Sequence, residues 1–151
     1  MSILEGCRRI VGGKGEGKAL VSLQPINFLA MVDAKSGKIT DPKHELYGRS
    51  LKDAVLVFPN AIGSSVGAYV FYSLKEARTA PSAIVCIKAD ITTASGCAIA
   101  NIPVVDIPEE MMRMMAGAAG KGTLSSLVKP GSRIKVDADA GRIITISNEE
   151  E

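Results

Sequence analysis

The sequence predicts an α/β fold, and three observations carry that expectation. Ala54–Phe58 is a run of consecutive apolar residues, the pattern of a strand buried on both faces. Val66, Val70, Leu74 and Ala77 recur at steps of four, four and three, the spacing of one helix face. Ala83–Ile87 is a second continuous apolar run. Strand, helix and strand in that order make a β-α-β unit with parallel strands.

The remaining elements extend this unit. Residues 3–11 read as a first strand ending in Gly12-Gly13, and Lys18–Leu23 as a second, stopped by Pro25. Ile26–Val32 is apolar but too short to assign to helix or strand. Asp33–Lys38 has the composition of a turn, and polar Ile39–Leu46 reads as a surface connection. Lys75, Glu76 and Arg78 charge the end of the helix that follows the serines, and Thr79-Ala80-Pro81 stops it. Small residues from Thr92 to Ala100 suggest a second helix, and Ile102–Asp106 the next parallel strand.

From Pro108 the pattern is helical, with Glu109 and Glu110 at the positive end, followed by Met111, Met112, Met114 and Met115. Those methionines suit either an adaptable partner surface or an ordinary face packed on the core. Gly117–Gly122 reads as a link. Ser132–Asp137 and Arg142–Ile146 read as a hairpin across Asp139-Ala140-Gly141. Residues 1–147 are expected to form a single domain, and 148–151 an acidic tail.

Composition narrows the function. A chain of 151 residues with 46% hydrophobic content supports one core, and the net charge of +2 gives no case for nucleic acid. No apolar run reaches membrane-spanning length, and the N-terminus lacks a signal-peptide pattern, so the expected location is the cytoplasm. Cys7, Cys86 and Cys97 are far apart and odd in number, which fits free buried thiols rather than disulfides or a metal site within this chain. The only histidine, His44, is expected on the surface or in a loop.

Two motifs invite chemistry and fail on inspection. Gly12-Gly13-Lys14-Gly15-Glu16-Gly17-Lys18 approaches the spacing of a phosphate-binding loop, but Ala19 stands where a magnesium-binding hydroxyl is needed and a strand follows. A loop at the rim of a site is the better expectation. Gly63-Ser64-Ser65-Val66-Gly67 satisfies the nucleophile-elbow pattern with Ser65 central. That chemistry needs an acid and then a histidine after the serine, and His44 precedes it.

The serine loop makes sense without a histidine. It joins a strand end to a helix N-terminus, where amide N–H groups and the helix dipole favour anions. Gly63 allows close backbone approach. A serine here can act as a base if nearby cations or N–H groups stabilise its alkoxide. Helix capping explains one serine and leaves the other unexplained.

Phe58-Pro59-Asn60-Ala61-Ile62-Gly63-Ser64-Ser65-Val66-Gly67-Ala68-Tyr69-Val70 resembles the core motif of the aconitase X swivel-domain family. The resemblance extends over most of the chain, through Gly15–Val21, Ala80–Ile84 and Ala98–Val105. It implies a swivelling β/β/α domain, as in the small domain of aconitase-like enzymes. It also implies a separate large subunit carrying an iron–sulfur cluster (4Fe-4S expected) and most substrate contacts.

The Gly-Ser-Ser-Val-Gly-x-Tyr form most resembles archaeal members. The activity implied is that of a hydro-lyase, active only with its large subunit, converting (R)-5-phosphomevalonate to trans-anhydromevalonate 5-phosphate in isoprenoid synthesis by the mevalonate pathway. The cluster iron would act as a Lewis acid on the leaving hydroxyl. By motif, Ser64 would take the proton α to the carboxylate, while Ser65 and the N–H groups around Gly63 would hold substrate oxygens. Two alternatives stay open: dehydration of cis-3-hydroxy-L-proline by a related two-chain enzyme, and a non-enzymatic module that binds a small anion.

Overall fold

The computed structural model describes residues 2–109 and 128–146. The acidic tail, the methionine-rich segment and the Gly117–Gly122 link lie outside the described residues.

Four parallel strands form the centre: β3 (Lys14–Val21), β6 (Val55–Phe58), β7 (Ala83–Cys86) and β8 (Val104–Asp106). Strand β2 (Arg8–Val11) pairs antiparallel with β8 at one edge. On the other side, β9 (Arg133–Asp137), β10 (Arg142–Thr145) and β1 (Ser2–Leu4) follow β3 in antiparallel order. Strand β3 belongs to both halves. Its Lys14–Lys18 segment pairs with β9, and Ala19–Val21 pairs with β6.

The alternation of side chains along β6 explains the layers. Leu56 and Phe58 face a core with Phe28, Phe71, Leu74 and Ile102. Val55 and Val57 face a second core with Ile134, Val136 and Ile143 from β9 and β10. Burial on both faces is why β6 and β7 read as unbroken apolar runs. The result is two β layers and one helical layer, the β/β/α arrangement that the resemblance implies.

The helical layer contains α1 (Phe28–Met31), α2 (Ala68–Ala77) and α3 (Ile91–Ala100). A single turn of 3-10 helix, Ser65–Gly67, leads directly into α2. Helices α2 and α3 approach closely at Gly96, where a Cβ would lie 2.6 Å from the Phe71 ring and 2.7 Å from the Ala68 carbonyl oxygen. The parallel order β6-α2-β7-α3-β8 matches the two crossovers expected, and the β9–β10 hairpin forms as expected.

Four expectations need correction. Residues 3–11 are not one strand but fall into β1 and β2, which lie at opposite edges of the sheet. The glycine-rich segment from Lys14 is strand, not loop. Gly15 and Gly17 press their open faces against the backbone carbonyls of Ser82 and Asp53, so the glycines serve close packing within a strand. The buried face of α2 carries Phe71 and Leu74, while Val66 is 51% exposed and Ala77 is also exposed. His44 lies in a loop, one of the two expected placements, but it is buried there rather than superficial. Its ring nitrogen Nδ1 accepts the Leu46 amide at 3.0 Å, leaving Nε2 to donate to the Pro25 carbonyl at 3.1 Å. This histidine holds a connection in place.

At the β8 edge, Arg8 grips the buried Asp106 carboxylate with two bonds of 2.8 and 2.6 Å. The same carboxylate accepts the Ala89 amide at 3.0 Å, tying β2 and β8 to the start of the β7–α3 connection.

Candidate active site

The serine loop leaves the C-terminal end of β6, where open α/β sheets place their ligands. Its approach is held from several sides. The Ile26 amide donates to the Asn60 carbonyl at 3.3 Å, and the Ile62 amide donates to the Ile26 carbonyl at 3.0 Å. The Ile87 amide donates to the Pro59 carbonyl at 3.1 Å. From the far side, Asp90 Oδ1 accepts the Ala61 amide at 2.8 Å. A loop fixed at this many backbone groups presents its tip in one geometry.

Gly63 begins the tip with φ +94°, a conformation that favours glycine. A Cβ there would lie 2.5 Å from Asn27 Nδ2. Asn27 is itself fixed, because its Oδ1 caps α1 by accepting the Ala30 amide at 3.1 Å. Glycine at this position therefore lets the tip pack directly on a capping side chain.

Ser64 occupies the cap position before the 3-10 turn. Its Oγ accepts the Val66 amide at 3.1 Å, and its carbonyl accepts the Gly67 amide at 2.9 Å. Ser64 is nonetheless exposed, as are Gly63 and Ser65. The amide N–H groups of Gly63, Ser64 and Ser65 make no hydrogen bond among the described residues. The loop thus combines a hydroxyl oxygen that already receives one amide hydrogen with further N–H donors at the same tip. Negative charge on Ser64 Oγ would be stabilised by the Val66 N–H and by the dipole of the turn and α2 together.

Ser65 lies on the other wall. It lines a groove of about 540 Å³ with Val66, Tyr69, Tyr72, Ser95 and Ile99. The two serines therefore differ in role: Ser64 closes the helix end, and Ser65 faces an open apolar groove between α2 and α3. Among the described residues, no hydrogen bond joins His44 to either serine. A serine–histidine hydrolase is not assembled here.

The described residues also do not build a metal centre. No group of three or more His, Cys, Asp or Glu side chains among them could hold an ion. Cys7, Cys86 and Cys97 are all buried and free, as expected. Burial, together with the nearby Asp106 carboxylate, pushes the Cys7 thiol up to about 11. Burial drives Cys86 and Cys97 well above the usual thiol range. Protonated, enclosed thiols are poor cluster ligands. An iron–sulfur cluster does not fit these side chains.

Asp90 and Asn27 are supporting residues that sequence reasoning missed. The signal for Asp90 is present: Asp90-Ile91-Thr92-Thr93 has an acidic cap before a helix. Nothing local links that cap to Ala61. Among the described residues, no helix is long and apolar enough to cross a membrane.

This chain belongs to the aconitase X swivel domain family, whose model matches residues 5–146. Within that class, it is 41% identical over 137 residues to the phosphomevalonate dehydratase small subunit of Methanothermobacter thermautotrophicus, covering 91% of this chain and 95% of that protein. It is 42% identical over 133 residues to the subunit of the same name from Methanothrix thermoacetophila, covering 87% of each. Among solved structures, the crystal structure of holo-form Thermococcus kodakaraensis aconitase X matches with TM-score 0.82 and 38% identity, covering 97% of this chain and 100% of that one.

Proposed function

We propose that this chain is the small subunit of a phosphomevalonate dehydratase. It acts with a large subunit to remove water from (R)-5-phosphomevalonate, giving trans-anhydromevalonate 5-phosphate in isoprenoid synthesis. The observation that carries this reading is the 41% identity to a small subunit of that name across nearly the full length of both chains. In this reading the iron–sulfur cluster is held by the large subunit, and the three cysteines of this chain are free and buried.

Ser64 is the proton acceptor in this proposal. A serine takes a proton only as its alkoxide, so charge stabilisation at Oγ is the requirement. The Val66 amide at 3.1 Å and the positive end of the helix supply it. The C–H bond α to the carboxylate breaks, its electron pair forms the new double bond, and the C–O bond breaks with its pair on oxygen. The proton goes to Ser64 Oγ. The leaving hydroxide takes a solvent proton to become water, and Ser64 later returns its own proton to solvent to restore the alkoxide. Ser65 and the free amides of Gly63–Ser65 orient substrate oxygens during this step.

The test is reconstitution. The chain is combined with a large subunit, and the complex is assayed with (R)-5-phosphomevalonate and separately with cis-3-hydroxy-L-proline. Turnover of the phosphorylated substrate alone is the expected result. Turnover of the hydroxyproline alone would reassign the substrate. A complex that forms and dehydrates neither would remove the enzymatic reading in favour of an anion-binding module.

A further inference from the structure

A cleft of about 350 Å³ opens beside Asp53 and Ala54, at the end of β6 opposite the serine loop. The fold brings four cations to its lining from separate parts of the chain: Lys18 of β3, Arg49 and Lys52 of the connection before β6, and Arg133 of β9. Among the described residues, Asp53 is the one carboxylate in that lining. Arg133 donates to Glu16 at 2.7 Å, whereas Lys18, Arg49 and Lys52 make no ion pair among the described residues. Like charges gathered in a concave site raise the local potential and attract anions.

The walls are rigid. The Ala19 amide donates to the Ser132 carbonyl at 2.8 Å, and the Gly131 amide donates to the Ala19 carbonyl at 2.9 Å. The Asp53 amide donates to the Ala80 carbonyl at 3.1 Å, which holds Asp53 at φ +58°. Gly17 lies flat against the Asp53 carbonyl. The cations therefore stand on anchored backbone rather than on a loose surface.

We propose that Lys18, Arg49, Lys52 and Arg133 form a second anion site, for a small molecule carrying a diphosphate group. The cleft volume is at the lower end of small-molecule sites. Guanidinium forks suit phosphate oxygens, and ammonium groups add point charges. With Arg133 paired to Glu16, three unpaired cations among the described residues still face one carboxylate, which calls for more than one negative charge. The site is separate from the serine loop and does not depend on the dehydratase reading.

Inorganic pyrophosphate titrated into the isotope-labelled full chain at 0.15 M NaCl tests the site by amide NMR. The expected result is saturable shifts at Lys18, Lys52 and Gly131, with Gly63–Val66 unmoved. The double variant Lys18→Gln/Lys52→Gln should weaken binding about tenfold or more. Arg49→Gln, at an exposed position, is the second variant if the double variant loses its folded spectrum, and it should weaken binding in the same direction. Shifts that never saturate, variant binding equal to that of the unaltered chain, or saturable shifts at the serine loop alone would overturn the proposal.

Discussion

Asp90 Oδ1 accepts the Ala61 amide at 2.8 Å, across 29 residues of sequence. The same carboxylate caps α3, with Oδ2 accepting the Thr93 amide at 2.9 Å and Oδ1 accepting the Thr93 hydroxyl at 2.9 Å. One side chain therefore sets both the start of α3 and the entry to the serine loop. Asp90→Ala removes the cap and leaves the Ala61 donor unpaired, so stability should fall by about 2 kcal/mol. Asp90→Asn keeps an acceptor oxygen and should lose less. Chemical denaturation gives the stability difference, and hydrogen exchange at Ala61 shows whether the loop loosens with it.

Gly63 carries the second prediction. Alanine there meets both the positive φ and the Asn27 side chain. Gly63→Ala should shift the loop tip and reduce dehydration far more than it lowers the melting temperature, because the tip is exposed and the core below it is untouched. Pairing Gly63→Ala with Asn27→Gly gives the new methyl group room and should restore part of the activity. Equal activity of Gly63→Ala and the unaltered complex would show that the tip tolerates displacement.

The thiols give a prediction about pH. The Cys7 value moves from 9.0 to about 11 in the folded chain through burial and the Asp106 carboxylate. Below pH 9, both folded and unfolded states keep that thiol protonated, and its contribution is fully present. As pH rises from 9 to 11, the unfolded chain ionises first, so stability should fall through that window. Cys86 and Cys97, also raised by burial, push in the same direction. At pH 8, a thiol reagent should label Cys86 and Cys97, both 0% exposed, only at the rate of unfolding, and Cys7, which keeps 8% exposure, sooner. Fast labelling of Cys86 or Cys97 in the native chain would contradict their enclosure.

How much of this was legible depended on whether a residue's partners were local. The β6–loop–helix–β7 unit was readable because a strand covered on both faces shows a continuous apolar run. The hairpin was readable from its turn residues. The second half of β3, Lys18–Val21, was readable as strand, but its first half was not, because Gly15 and Gly17 carry no side chain to show alternation, and their reason for being small lies in Ser82 and Asp53. The inner face of α2 was legible in part: Leu74 is buried and Val70 packs on the core as the spacing implies, whereas Val66 and Ala77 are exposed and Phe71, off the stripe, is buried. At the site, a cap by one of the two serines was readable, and the structure gives it to Ser64. Asp90 and Asn27 were not, since each meets the loop only through the tertiary fold.

The central claim is that Ser64 takes the substrate proton, and Ser64→Ala in the assembled two-chain complex tests it most directly. The substitution removes a cap worth about 1 kcal/mol, too little to unfold the domain. The complex should therefore form as before, while dehydration of (R)-5-phosphomevalonate and solvent-deuterium exchange at the carbon α to its carboxylate are both lost. A Ser64→Ala complex that forms normally and retains full dehydration and exchange would contradict the account.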